Sequence, residues 1–228
     1  DLSAADLHAA SSSLEAAQFH VLVDLNGYTD GERTELLALR PAPVVMHAVG
    51  YPATLGANFV RYILLDRHVA LPAPHVHQAL TERLVILPHC YLVNGHHDAF
   101  GAESLLLGAA PPPQTRHKML LINFNQLYKL EPRTVLMWCG LLQHSAGRAV
   151  LWLRRQPEES APAILKEFHA CGARGAQVVF ADYDYDEQLH MQRIANAHLS
   201  LDTPEYNGHT TGNDMLWAAV PLLSVPAE

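Results

Sequence analysis

Residues 119–155 read "MLLINFNQLYKLEPRTVLMWCGLLQHSAGRAVLWLRR". The run 119–125 is almost continuously apolar, 131–145 carries apolar residues at helical spacing, and 149–155 is apolar again. Pro132 falls in the first turn of the helical stretch, where a missing N–H costs nothing. A strand that is apolar on both sides of its pleat must be covered on both faces, as in parallel sheets with crossover helices. This strand–helix–strand unit predicts a Rossmann-like domain.

The rhythm continues to the end of the chain. A helix is predicted over 160–172, between a Ser start and a Gly stop, then a strand at 177–182 and a helix at 186–197. A strand at 198–203, a helix after Thr210 and a last strand in "PLLSVP" (221–226) complete the pattern. The first half repeats the theme less regularly. It gives a strand at 19–25, an Asn-Gly turn, a helix near 31–40 halted by Pro41, and strands at 44–49, 59–66 and 83–88. Between the halves lies "LLLGAAPPPQTRHK" (105–118), whose three consecutive prolines continue neither a sheet nor a helix interior. The predicted organisation is therefore a lobe at 1–108, a Pro-rich linker at 109–118 and a second lobe at 119–228.

The fold class predicted is α/β, with two Rossmann-like domains facing across a cleft. Ligands of such sheets bind beyond the C-terminal ends of the strands. The polar segments 24–29, 49–54, 123–129, 182–190 and 202–214 all leave predicted strands at that end. In the last of them, Gly208, His209, Thr210 and Thr211 stand where a strand hands over to a helix. The first N–H groups of a helix carry positive partial charge, so an anion can satisfy them. The alternative is that Thr210 merely caps the helix.

Composition limits the function classes. The 228 residues are 49% hydrophobic and 17% charged, with a formal charge of −8. Nothing offers a basic stripe for nucleic-acid backbones, although one bound phosphate group needs only a local positive pocket. No apolar run reaches membrane-spanning length and no signal peptide is visible. Cys90, Cys139 and Cys171 are widely spaced and form no CxxC pair, so reduced, mostly buried thiols of an intracellular protein are expected. The fifteen histidines invite a metal reading at His75 and His77, or at His96, His97 and Asp98. Neither group has a four-ligand pattern, and no metal is expected.

With these features in place, the chain resembles the catalytic region of the O-linked N-acetylglucosamine transferases, inverting nucleotide-sugar transferases of the two-Rossmann-domain (GT-B) architecture. The resemblance is carried by "LNGYTDGERTELLALRPAPV" (25–44), "GYPATLG" (50–56), "NFNQLYKLEP" (123–132), "VLWLRRQP" (150–157) and "LDTPEYNGHTTGNDMLWAAVPLLSVP" (201–226), in the family's order. It implies transfer of GlcNAc from UDP-GlcNAc to Ser or Thr hydroxyls of proteins, in the cytoplasm or nucleus, without a metal or other cofactor. By position it implies that Gln126 and Lys129 hold the UDP diphosphate and that His209, Thr210 and Thr211 form its loop-to-helix cradle. Lys129 and His209 would stabilise the leaving group. Asp214 would accept hydrogen bonds from the ribose, and His190 and Arg193 would lie at the uracil. Asn26, Thr29, Gly50 and Pro52 would face the sugar and acceptor.

Simpler roles stand beside several of these. Lys129 can be an exposed strand-end lysine, Asp214 a complement to a helix dipole, and His190 an ordinary packed helix residue. Asp24 suits a general base or a brace for the following turn. Tyr185 and Glu187 depart from the animal enzymes, which place a small residue and a lysine near the nucleotide. The family's first-lobe histidine segment and its tetratricopeptide array are expected upstream of residue 1, and its closing helices downstream of residue 228. Residues 1–228 alone are thus expected to be an incomplete, inactive lobe pair. The rival expectations are a SPINDLY-type O-fucosyltransferase using GDP-fucose, or a catalytically silent nucleotide-binding fragment.

Overall fold

The computed structural model describes residues 2–70, 74–101 and 110–225. They form two compact units that divide between Val93 and Asn94. In the first unit a parallel sheet runs β1 (Val21–Asp24), β2 (Val44–His47), β3 (Tyr62–Asp66) and β4 (Arg83–Leu87), in that spatial order. Its helices are α1 (Leu7–Ala16), α2 (Thr34–Ala38), α3 (Arg67–Ala70) and α4 (Pro74–Ala79). Two small cores hold it together, one around Leu37, Val45, Leu55 and Val60, the other around Ile63, Leu65, Ala70 and Tyr91. β1 is an edge strand, and Val21 and Val23 remain 47% and 42% exposed. The apolar reading of 19–25 thus finds a strand whose outer face is uncovered among the described residues.

The second unit begins with α5 (His96–Ala99). It continues through β5 (Met119–Asn123), α6 (Pro132–His144), β6 (Ala149–Arg155), α7 (Ala161–Ala170), β7 (Val178–Asp182), α8 (Glu187–Ile194), β8 (Leu199–Leu201), α9 (Thr210–Trp217) and β9 (Leu222–Leu223). The strands are parallel in the order β7-β6-β5-β8-β9. Alternation along them sorts the side chains onto two faces. Leu121, Leu151 and Leu153 pack with Val135 and Trp138 of α6 and Phe168 of α7. Leu120, Ile122 and Trp152 pack with Met191 and Ile194 of α8 and Met215 of α9. Helices on both faces are what the doubly apolar strands require.

Two expectations change. The units divide ahead of the 109–118 segment, because residues after Val93 pack onto the second unit: His96 lies against Trp217 and Asp214. Residues 102–109, where that segment begins, lie outside the described residues, as does the end of the 221–226 strand reading. The cysteines are not all reduced thiols. Cys139 and Cys171 are joined in a disulfide between α6 and the end of α7, and only Cys90 is a free, exposed thiol. A pair 32 residues apart with no motif around it gives no sequence signal; the packing of α6 on α7 brings the sulfurs together.

Candidate functional site

The chain leaves β5 to build β6 and β7 on one side, then returns to build β8 and β9 on the other. The carboxyl ends of β5 and β8 therefore flank a switch point, where loops diverge and expose a crevice. Two loops meet there. Asn125 is buried and donates from Nδ2 to Thr203 Oγ1 at 2.9 Å and to Asp202 Oδ1 at 3.3 Å. Asp202 Oδ1 also accepts from the N–H groups of Thr203 and Gly208, at 2.9 and 2.8 Å. Thr211 Oγ1 donates to Asn125 Oδ1 at 2.5 Å. This network fixes the path of 202–211 before α9 begins.

Gly208 is required by that network. A Cβ there would stand 2.6 Å from Thr211 Oγ1 and 2.7 Å from Asn125 Oδ1. The missing side chain thus makes room for the Asn125–Thr211 bond. The space left inside the network is about 10 Å³, no more than one water. A larger cavity of about 650 Å³ opens at the opposite end of the strands, around Pro111–Leu120 and His198, but it holds none of the predicted site residues.

Thr210 is the first residue of α9, not its cap. His209 occupies the capping position, and no side-chain hydrogen bond caps the helix. Lys129 ends a 3-10 turn after β5, and its Nζ donates to Asn207 O at 3.0 Å while lying 3.9 Å from the Tyr206 ring centroid. Burial lowers the Lys129 pKa, and Asp202 opposes that effect. Burial, reinforced by the charge of Lys129 and opposed by Asp202, lowers the His209 pKa. At neutral pH the pair therefore presents one formal positive charge and one neutral imidazole beside an uncapped helix N-terminus.

A second cluster lies one strand connection away. Asp214 Oδ1 accepts from His96 Nε2 at 2.7 Å, and Asp214 Oδ2 stands 3.6 Å from His190 Nε2. His190 also lies against the Phe124 ring. Arg193 pairs with Asp184 at 3.2 Å and donates to Asp182 O. Glu187 opens α8 on an exposed site, and Tyr185 is 89% exposed with its ring edge-on to Tyr183. Gln126 is half-buried ahead of the turn that carries Lys129. Sequence reading did not single out Asn125 or Asp202 and missed the pairing of His96 with Asp214. The first two stand inside quoted motifs; His96 is 118 residues from its partner.

In the first unit, Asp24 accepts from the N–H groups of Asn26 and Gly27, at 3.2 and 2.9 Å, as a turn brace does. Thr29 Oγ1 donates to Asn26 O, and Asn26 Nδ2 to Asp30 O. Gly50 lies against the Leu25 carbonyl, and Pro52 is half-buried beside it in the same loop. Among the described residues no group of three or more His, Cys, Asp or Glu is placed to hold a metal ion, and no helix is long and apolar enough to cross a membrane. His77 Nε2 bonds to Ala70 O.

The profile of glycosyl transferase family 41 matches residues 1–104 and 114–228. The chain belongs to this family. Among its relatives, a probable UDP-N-acetylglucosamine–peptide N-acetylglucosaminyltransferase of Arabidopsis thaliana is 36% identical over 100% of the chain and 23% of its own length. The enzyme of the same activity name from Caenorhabditis elegans is 26% identical over 96% of the chain and 28% of its own length. The chain thus spans about a quarter of the length of these curated relatives. A solved mutant of the Thermobaculum terrenum O-GlcNAc transferase has the same fold, with a TM-score of 0.82 at 24% identity over 100% of the chain and 42% of that structure. This likeness confirms the GT-B class of the family 41 chain: α/β, with two parallel-sheet domains.

Proposed function

We propose that this chain is catalytic machinery of a protein O-GlcNAc transferase, moving GlcNAc from UDP-GlcNAc to Ser or Thr hydroxyls of intracellular proteins with inversion. The observation that carries the reading is the meeting of Lys129, His209 and the uncapped start of α9 at the β5/β8 switch point. A nucleotide diphosphate suits those donors. The ammonium supplies charge, the neutral imidazole and the helix N–H groups supply directed hydrogen bonds, and all three strengthen as the departing UDP gains charge. The reaction then needs no metal, because leaving-group charge is met by these residues. Asp214 is the group of this site suited to a ribose diol, and His190 and Arg193 stand on the helix beside it. The named activities of the two relatives support the same donor and acceptor class. A tetratricopeptide region in the longer protein would select acceptors, with cytoplasm or nucleus as the compartment.

The test is transfer of radiolabelled sugar from UDP-GlcNAc to a protein extract by the protein that carries this chain. Label that is released by β-elimination, and that falls sharply in Lys129→Ala, supports the reading. Absence of label with UDP-GlcNAc would overturn it.

A further inference from the structure

Among the described residues that touch Asp214, His96 comes from outside the β-α repeats of its unit. It opens the short helix α5, is 8% exposed, and its ring stacks on Trp217 with centroids 5.8 Å apart and planes 22° apart. Phe100 lies on it as well, at 5.6 Å. The backbone N–H of His96 is tied to Asn94 Oδ1. Held in this way, its Nε2 meets Asp214 Oδ1 at 2.7 Å, the short distance of a charge-assisted bond. His190 stands 3.6 Å from Oδ2, beyond hydrogen-bond reach, so that oxygen is not engaged in the same manner. Trp217 follows Asp214 by three residues on α9, so the ring that clamps His96 sits on the same helix face as the carboxylate that His96 grips.

We propose that His96 is a positioning residue for nucleoside binding. It fixes one carboxylate oxygen of Asp214 so that the other faces the vicinal hydroxyls of a nucleotide ribose. The proposal rests on the donor-binding reading above. A carboxylate on a flexible χ2 torsion loses freedom when it receives a diol, and a buried imidazole that has already fixed it removes that cost. The segment that carries His96 thereby acts on donor affinity without touching the donor.

The readout is the ratio of affinities for UDP and 2′,3′-dideoxy-UDP, measured by calorimetry on wild type, His96→Phe, His96→Asn and His96→Gln. Hydrogen bonds to a charged group predict a wild-type preference for UDP of about tenfold or more. In His96→Phe the ratio should fall to within about threefold of unity, with little change for the dideoxy nucleotide. His96→Gln, whose amide extends to the imidazole Nε2 position, should recover the preference, while the shorter His96→Asn should not. Equal losses for both nucleotides, leaving the ratio at its wild-type value in His96→Phe or His96→Asn, would overturn the proposal and mark His96 as structural. A wild-type ratio of one would instead remove Asp214 from ribose binding and the proposal with it; absence of UDP binding would overturn the donor reading itself.

Discussion

The Lys129 ammonium stands over the face of Tyr206, 3.9 Å from the ring centroid, and donates to the carbonyl of Asn207. The cation of the β5 loop is thus fixed by two residues of the β8–α9 loop. This crosslink places charge in front of α9 before any ligand arrives. Lys129→Ala should weaken UDP binding by roughly 1.5–3 kcal/mol, the value of a charge-assisted contact. Calorimetry checks it, and unchanged affinity would remove Lys129 from the diphosphate site.

Glu187 has an exposed carboxylate at the start of α8, and Arg193 is occupied by Asp184. With the diphosphate bound as proposed, its charge would act through solvent, with no cation of its own helix bound to it. Glu187→Lys should tighten UDP binding by less than about 1 kcal/mol, and the gain should shrink as salt is raised. Weaker binding in the variant would show that the carboxylate has a direct role.

Two glycines should respond to alanine in opposite directions. A Cβ on Gly50 would come within 2.2 Å of the Leu25 carbonyl oxygen, where backbone must move. Gly50→Ala should cost roughly 1–3 kcal/mol of stability. Gly140 lies inside α6 with nothing within 4 Å of a new Cβ. Gly140→Ala should add roughly 0.5–1 kcal/mol through helix propensity. Urea unfolding of both variants measures the contrast; stabilisation by Gly50→Ala would contradict the close loop contact.

His47 is 1% exposed in β2, with Glu82 at 3.6 Å. Burial lowers its pKa below the ordinary 6.5, against opposing contributions from Glu82 and Asp24. The native state therefore binds fewer protons here than the unfolded state. The stability contributed by the neutral ring is present above pH about 6.5 and is lost as pH falls toward the native value. His47→Gln, which cannot titrate, should flatten the fall in Tm between pH 7 and 5 relative to wild type. Equal slopes in the two proteins would exclude this linkage.

Legibility in the sequence followed local determinism. The apolar run 149–155 matches β6 at both bounds because it ends in charged residues and a proline. The helical spacing of 131–145 matches α6 to within a residue at each end, since Pro132 marks its first turn. α1 leaves no clear signal because "LHAASSSLEA" is rich in Ser and has a weak apolar stripe, and α3 and α5 are too short to show a period. The loop residues of the site stood inside recognisable motifs. Their pairings are not visible there: Asn125 with Thr211, His96 with Asp214 and Cys139 with Cys171 are long-range pairs set by sheet order and helix packing.

The β5/β8 switch point is proposed as a uridine-diphosphate site. Calorimetric titration of the protein that carries this chain with UDP, UDP-GlcNAc, GDP and GDP-fucose decides it. Saturable one-site binding of both uridine ligands is expected, lost in part by Lys129→Ala, with guanosine ligands at least about tenfold weaker. Preference for GDP-fucose, or no binding of UDP at all, would contradict it.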